Sequence, residues 1–167
     1  MELEELIYTY SDYLYRIAYS YVKDEQTAEE VVQDVFFKFY KTSIQFENQA
    51  HIKTYLTRMI INRSYDYLRS WKHKKQTIFE VFHQKINGVD IKAIEQEEEA
   101  AIWQSILSLP VKFRETIILY YYEDLSIKEI AALLQTAEST IKSRLQRGRL
   151  HLKSSLQDTE WEVLKNE

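Results

Sequence analysis

The stretch Ser126 to Arg149, SIKEIAALLQTAESTIKSRLQRGR, constrains the fold of this chain more than any other. Ile127, Ile130, Ala131, Leu133 and Leu134 put one apolar face on a short helix, and Ile141 and Leu145, four residues apart, put a matching pair on a second. Ser126 followed three residues on by Glu129 is a capping box, in which hydroxyl and carboxylate each satisfy a backbone N–H that the first helical turn leaves open. Gln135, Thr136 and Ala137 separate the halves, with Thr136 or Ala137 as the second N-cap. The spacing predicts a helix-turn-helix. With Ile141 and Leu145 inward, Ser139, Lys142, Ser143, Gln146 and Arg147 face outward. Such a helix fits the major groove of B-DNA, where Lys or Arg reads guanine and Gln reads adenine at about 1 to 3 kcal/mol per bidentate contact. The remaining cations suit phosphates.

The rest of the chain must supply a core for this element without many turns. Gly totals 2 and Pro 1 in 167 residues, too few for an all-β chain of hairpins, and 45% hydrophobic residues exclude wholesale disorder. The fold class expected is all-α. No cysteine is present, which removes disulfides, thiolate metal sites and cysteine nucleophiles. The opening MELEEL is acidic where a signal peptide would be basic, and no apolar run approaches the roughly 18 residues of a membrane span, so a cytoplasmic protein without membrane insertion is expected. The net charge of -4 hides a pattern. Residues 1–50 carry 4 Lys/Arg against 10 Asp/Glu, residues 51–75 carry 7 against 1, and residues 126–153 carry 6 against 2. Two basic islands in an acidic chain suggest two DNA contacts beside an acidic surface for a basic protein partner.

Leu3, Leu6, Ile7, Tyr10, Leu14, Ile17, Ala18 and Tyr21 step by three and four, predicting an amphipathic helix over Glu2–Val22. Asp24 is placed to cap a second helix, Glu25 to roughly Thr42, burying Ala28, Val31, Val32, Val35, Phe36 and Phe39 and exposing Glu29, Glu30, Gln33 and Asp34. A loop follows, then a third helix over about Ala50–Lys72, where Ile52, Leu56, Met59, Ile60 and Leu68 form the buried side. Cations and aromatics alternate along it, including Lys53, Tyr55, Arg58, Arg63, Tyr65, Tyr67 and Arg69. Rings that stack on bases beside cations that hold the backbone suit single-stranded nucleic acid, although the same rings can complete a core. Residues 73–93 lack a sustained period and contain Asn87-Gly88, so they read as a flexible linker between two compact halves. A fourth helix from about Ile91 to Ser108 takes Ile94, Ala101, Ile102, Ile106 and Leu107 inward, with Trp103 as core. Pro110 opens a fifth, to about Tyr122, carrying Phe113, Ile117, Ile118 and Tyr121.

Taken in order, AEEVVQDVFFKFYK with IKTYLTRMIINRSYDYLR, and then LPVKFRETIILYYYEDLSIKEIAALLQTAESTIKSRLQRGR, resemble the second-region and fourth-region domains of the extracytoplasmic-function sigma factors of the sigma-70 family. The resemblance implies a region 2 domain over residues 1–75, a linker over 76–93, a region 4 domain over 94–155 and a C-terminal tail over 156–167. It implies that Glu30, Gln33 and Asp34 bind the clamp helices of the largest subunit of core RNA polymerase. Phe46, Asn48, Lys53, Tyr55, Arg58, Asn62, Arg63 and Arg69 would bind the -10 element, with a base flipped from the melted strand. Lys142, Ser143, Gln146 and Arg147 would meet bases of the -35 duplex, while Thr140, Arg144 and Arg149 would meet phosphates. An anti-sigma factor is the further partner implied. The chain departs from the family pattern with Gln135 where Gly is usual in the turn, Ala137 where Ser usually caps, Ser139 where Gly is frequent, and Gly148 inside the recognition helix, where its propensity costs about 1 kcal/mol.

The alternative is a helix-turn-helix regulator that acts without replacing a sigma subunit, which leaves the acidic second helix and the aromatic third without a task. No enzymatic activity, metal or cofactor is expected. His51, His73, His83 and His151 show no helix-paired metal spacing, and no Gly-rich phosphate loop exists.

Overall fold

The computed structural model describes residues 3–42, 48–78 and 97–156. Every regular element among them is an α-helix: α1 Leu3–Val22, α2 Glu25–Lys41, α3 Gln49–Ile78, α4 Glu97–Ser108, α5 Val111–Tyr121, α6 Ile127–Leu133 and α7 Glu138–Ser155. The chain divides into two compact units, residues 1–89 and 90–167.

In the first unit α1, α2 and α3 pack on one another around Leu14, Ile17, Ala18, Ala28, Val31, Val35, Leu56 and Ile60. Asp24 caps α2, its carboxylate accepting from the Thr27 backbone N–H at 2.9 Å and the Thr27 hydroxyl at 2.6 Å. Because α1 is covered by two helices, its buried arc is wider than one stripe. Tyr13 and Tyr19, outside the three-and-four pattern, are buried, while Ile7, inside it, is 39% exposed. Phe39 is likewise only half-buried. The Tyr13 and Thr57 hydroxyls meet at 2.8 Å across α1 and α3, and the Thr57 hydroxyl donates on to the Lys53 carbonyl, so two buried polar groups satisfy each other.

The third helix is longer than its apolar pattern. It runs to Ile78, six residues past Lys72 and into the segment expected to be linker. His73 to Ile78 lack an apolar stripe but contain no Gly or Pro, and adding a residue to a formed helix is easy where starting one is not. The remainder of the expected linker, Ile94, the loop over 43–47 and the tail over 157–167 lie outside the described residues.

The second unit is arranged round α5, where Phe113 to Leu119 are buried in unbroken succession and α4, α6 and α7 all pack. A helix buried on all sides needs an explanation for each polar residue it carries. Arg114 Nη1 donates to the carbonyls of Leu107 and Leu109, both at 3.0 Å, pinning the turn from α4 into α5. The Thr116 hydroxyl returns to the Lys112 carbonyl at 2.6 Å. Pro110 is the N-cap of α5, one position ahead of the first turn, and its missing N–H costs nothing there.

Candidate nucleic-acid interface

The helix-turn-helix is built by local chemistry first. The Ser126 backbone N–H donates to Glu129 Oε2 at 2.8 Å and the Glu129 N–H to the Ser126 hydroxyl at 3.2 Å, closing both arms of the capping box at the start of α6. The Ser126 backbone N–H first, and then the Ser126 hydroxyl, which donates to Glu129 Oε2 at 2.7 Å, hold the Glu129 carboxyl below the usual carboxylate range. The turn leaves α6 through Gln135, whose φ of 52° lies in the left-handed region, and the Thr136 N–H returns to the Ala131 carbonyl at 3.0 Å. A side chain in that region costs about 1 kcal/mol against glycine. Ala137 then caps α7 without a side-chain hydrogen bond. Both departures fall in the turn, and the motif forms around them.

Ile141, Leu145, Gly148 and Leu152, spaced four, three and four, are the buried face of α7. Gly148 is where its backbone meets α5. A Cβ placed there would stand 3.0 Å from Ile117 Cγ1 and 3.2 Å from Cδ1. Expected from sequence as a propensity cost, this glycine is what lets the two helices approach. With that face spent, Ser139, Lys142, Ser143, Gln146 and Arg147 are exposed along one arc.

Thr140, Arg144 and Arg149, the expected phosphate contacts, are half-buried at the edges of the arc. Arg144 Nη1 lies 3.4 Å from Glu115 Oε1 on α5, with the Glu115 side chain only 2% exposed. Arg149 Nε donates to the Tyr121 hydroxyl at 2.6 Å, and its guanidinium lies 5.7 and 5.5 Å from the ring centres of Tyr120 and Tyr121.

On α3 the expected -10 residues divide in two. Arg58, Asn62 and Arg69, four and seven apart, are exposed on one face. The others face neighbours. Lys53 Nζ sits 4.4 Å over the Tyr13 ring, and Tyr55 meets Phe39 edge-on at 6.0 Å. Tyr65 meets Tyr21 edge-on at 5.3 Å, and the Tyr67 hydroxyl lies 3.2 Å from that of Thr27. These three rings thus join α3 to α1 and α2. Asn48 accepts the His51 N–H at 3.0 Å just ahead of the first turn, and Arg69 pairs with Asp66 at 3.4 Å. Phe46 lies outside the described residues.

Glu30, Gln33 and Asp34 are exposed on α2 as expected. One turn on, Phe37 and Tyr40 are 61% and 69% exposed. Arg63 donates from Nε and Nη2 to Asp34 Oδ2 at 2.8 and 2.6 Å, joining a residue expected at DNA to one expected at a protein partner. Among the described residues no three His, Asp or Glu side chains gather as a metal site requires, and no helix is long and apolar enough to cross a membrane.

Residues 6–74 match the family described as Sigma-70 region 2, and residues 99–152 match Sigma-70, region 4. Over 160 residues the chain is 31% identical to the ECF RNA polymerase sigma factor SigM of Bacillus subtilis (strain 168), covering 92% of this chain and 94% of that one. This chain belongs to the ECF RNA polymerase sigma factors. SigW of the same organism is 29% identical over 165 residues, covering 92% of this chain and 88% of the relative. The sigma factor RpoE from Bartonella quintana, solved in complex with the anti-sigma factor NepR, shares the fold with a TM-score of 0.70 over 90% of this chain and 94% of that one, at 24% identity. As an ECF sigma factor the chain directs promoter-specific initiation by RNA polymerase. A regulator acting beside another sigma subunit would leave the region 2 match unexplained.

Sequence reasoning about this sigma factor passed over Glu115 and the approach at Gly148, and it placed Tyr121 on its helix without the Arg149 partner. A signal existed for the first: Arg114 and Glu115 stand in FRETIIL between Phe113 and the apolar run Ile117 to Leu119, and a charge buried at such a place needs a partner.

Proposed function

We propose that this sigma factor reads the -35 duplex with α7 and the melted -10 strand with α3 and the loop before it, while α2 holds core polymerase. Lys142, Ser143, Gln146 and Arg147 meet base edges in the major groove, and Thr140 meets a phosphate. Arg58, Asn62 and Arg69 track the single strand, with Phe46 and Asn48 taking the flipped base and Lys53, Tyr55 and Arg63 at the margin of that face. Glu30, Gln33 and Asp34 meet the clamp helices of the largest subunit. The working division is region 2 over residues 1–75, linker over 76–93, region 4 over 94–155 and tail over 156–167.

The single observation that carries this reading is the exposed arc on α7 opposite its buried face, on a helix entered through a capped helix and a tight turn. The chain performs no chemistry itself and works in the cytoplasm, lending recognition and strand opening to the polymerase. An anti-sigma factor is the second partner, supported by the likeness of fold to RpoE and by the large exposed apolar side chains Phe37, Tyr40, Tyr122 and Leu150, which a wrapping partner would cover.

Purified chain with core polymerase is expected to co-elute and to start RNA at discrete promoters. Failure at every promoter in a genome-wide run-off screen overturns the reading. Arg147→Ala is expected to relax selectivity at one -35 position, read by transcription from promoters varied there; equal loss on all of them removes the base contact.

A further inference from the structure

We propose that Arg144 is a positioning residue, held on the buried carboxylate of Glu115, and that this pair sets the angle at which α7 enters the groove. The inference rests on the reading of α7 as the groove-reading helix. Arg144 and Gly148 stand four apart, so they share the face of α7 that meets α5. Along that seam the two helices touch at Glu115 with Arg144, at Ile117 with Gly148, and at Tyr121 with Arg149. The Gly148 contact sets how close the helices lie. Beside the buried Ile141, Leu145 and Leu152, the ties at Arg144 and Arg149 on either side of Gly148 further limit the rotation of α7 about that approach.

The pair is unequal in a telling way. The Glu115 side chain is 2% exposed and that of Arg144 is 27% exposed, so the carboxylate depends on the guanidinium more than the reverse. Withdrawing the Arg144 guanidinium from a buried carboxylate is costly, and a phosphate at the surface returns less than that loss. Arg144 therefore stays with Glu115 when DNA arrives. The residues on the exposed arc, Lys142, Ser143, Gln146 and Arg147, receive their direction from it. Base readout requires side chains placed to within about 0.5 Å and 10–20°, so a few degrees of helix rotation costs discrimination before it costs attachment.

The experiment uses full-length chain assembled with core RNA polymerase and a -35 duplex selected by the wild-type holoenzyme, beside the same duplex with one -35 base pair changed. Affinity for both is measured across a range of salt, for wild type, Glu115→Gln, Arg144→Met and Arg144→Lys. Glu115→Gln is the decisive variant: it keeps the side-chain shape, and a residue buried on α5 cannot itself touch DNA. The added net positive charge alone would tighten binding to both duplexes alike. The expected result is that Glu115→Gln and Arg144→Met each lower the ratio of cognate to changed affinity by at least about threefold, against the roughly 5- to 150-fold that one mismatch usually commands. The slope of log affinity against log salt is expected to stay as in wild type, and Arg144→Lys to recover part of the ratio.

A slope reduced by about 1 in Arg144→Met with the ratio intact makes Arg144 a phosphate contact and overturns the proposal. Equal loss on both duplexes, matched by a smaller folded fraction in thermal melts, makes the pair a brace for folding alone and overturns it too. A wild-type holoenzyme that selects no -35 duplex fails before any variant is made, and takes the groove reading and this inference together; failure confined to the variants belongs to this inference.

Discussion

Arg63 reaches Asp34 at 2.6 Å in the first unit, and Arg144 reaches Glu115 at 3.4 Å in the second. By distance the first pair is tighter, yet its side chains are 42% and 52% exposed, so water and salt compete for every hydrogen bond it makes. The second pair is longer, but its carboxylate is only 2% exposed, so solvent does little to replace the guanidinium. What decides the strength of an ion pair here is the solvent it displaces. The division also suits the tasks proposed for the two units. A duplex offers a preformed groove and rewards a helix locked in direction, whereas an unstacked strand adapts, and a face meeting it can keep its cations exchangeable.

The comparison can be broken at several points. Gly148→Leu forces a side chain into the 3.0 Å approach to Ile117 and is expected to destabilise the second unit by about 3 kcal/mol, read from chemical unfolding of the full chain; a neutral outcome would mean that α5 and α7 separate freely. Arg144→Met is expected to cost about 2 to 3 kcal/mol in the same measurement, the low end for a buried pair because Arg144 is partly solvated. Gln135→Gly relieves the left-handed residue in the turn and is expected to gain about 1 kcal/mol; a loss would show that the Gln135 side chain contributes contacts of its own. Arg63→Met is expected to cost less than about 1 kcal/mol, and a cost equal to that at Arg144 would erase the contrast between the units.

The smallest effect is one of pH. The folded Glu129 carboxyl lies below its ordinary range because it accepts the Ser126 N–H and hydroxyl, so its contribution is complete above the unfolded carboxylate value. It is lost as pH falls through the depressed folded value. Unfolding midpoints of wild type and Glu129→Gln are expected to converge on acidification and part above it; parallel profiles would show that the capping carboxylate adds nothing.

Where an element begins was legible wherever the signal is chemical and local. Asp24 and the Ser126 and Glu129 pair mark the starts of α2 and α6, because a cap acts within three residues of itself. The exposed arc of α7 was legible by subtraction, once Ile141 and Leu145 were assigned to the core. The end of α3 was not, since helix continuation past Lys72 leaves no apolar trace. Nor were the neighbours of Tyr55, Tyr65 and Tyr67: an aromatic ring has the same composition whether it packs on Phe39 or Tyr21 or waits for a base.

By itself the sequence determined an all-α chain with a capped helix-turn-helix, an acidic α2 and a basic α3, because caps, periodicity and charge are properties of residues a turn or two apart. Only the tertiary structure decided that Arg144 answers to Glu115, that Arg63 answers to Asp34 and that Gly148 makes room for Ile117. Each of these joins residues about 30 apart in the chain, on different helices. Which cation finds which carboxylate across that separation depends on how the helices cross, and that is settled by the packing of all of them at once.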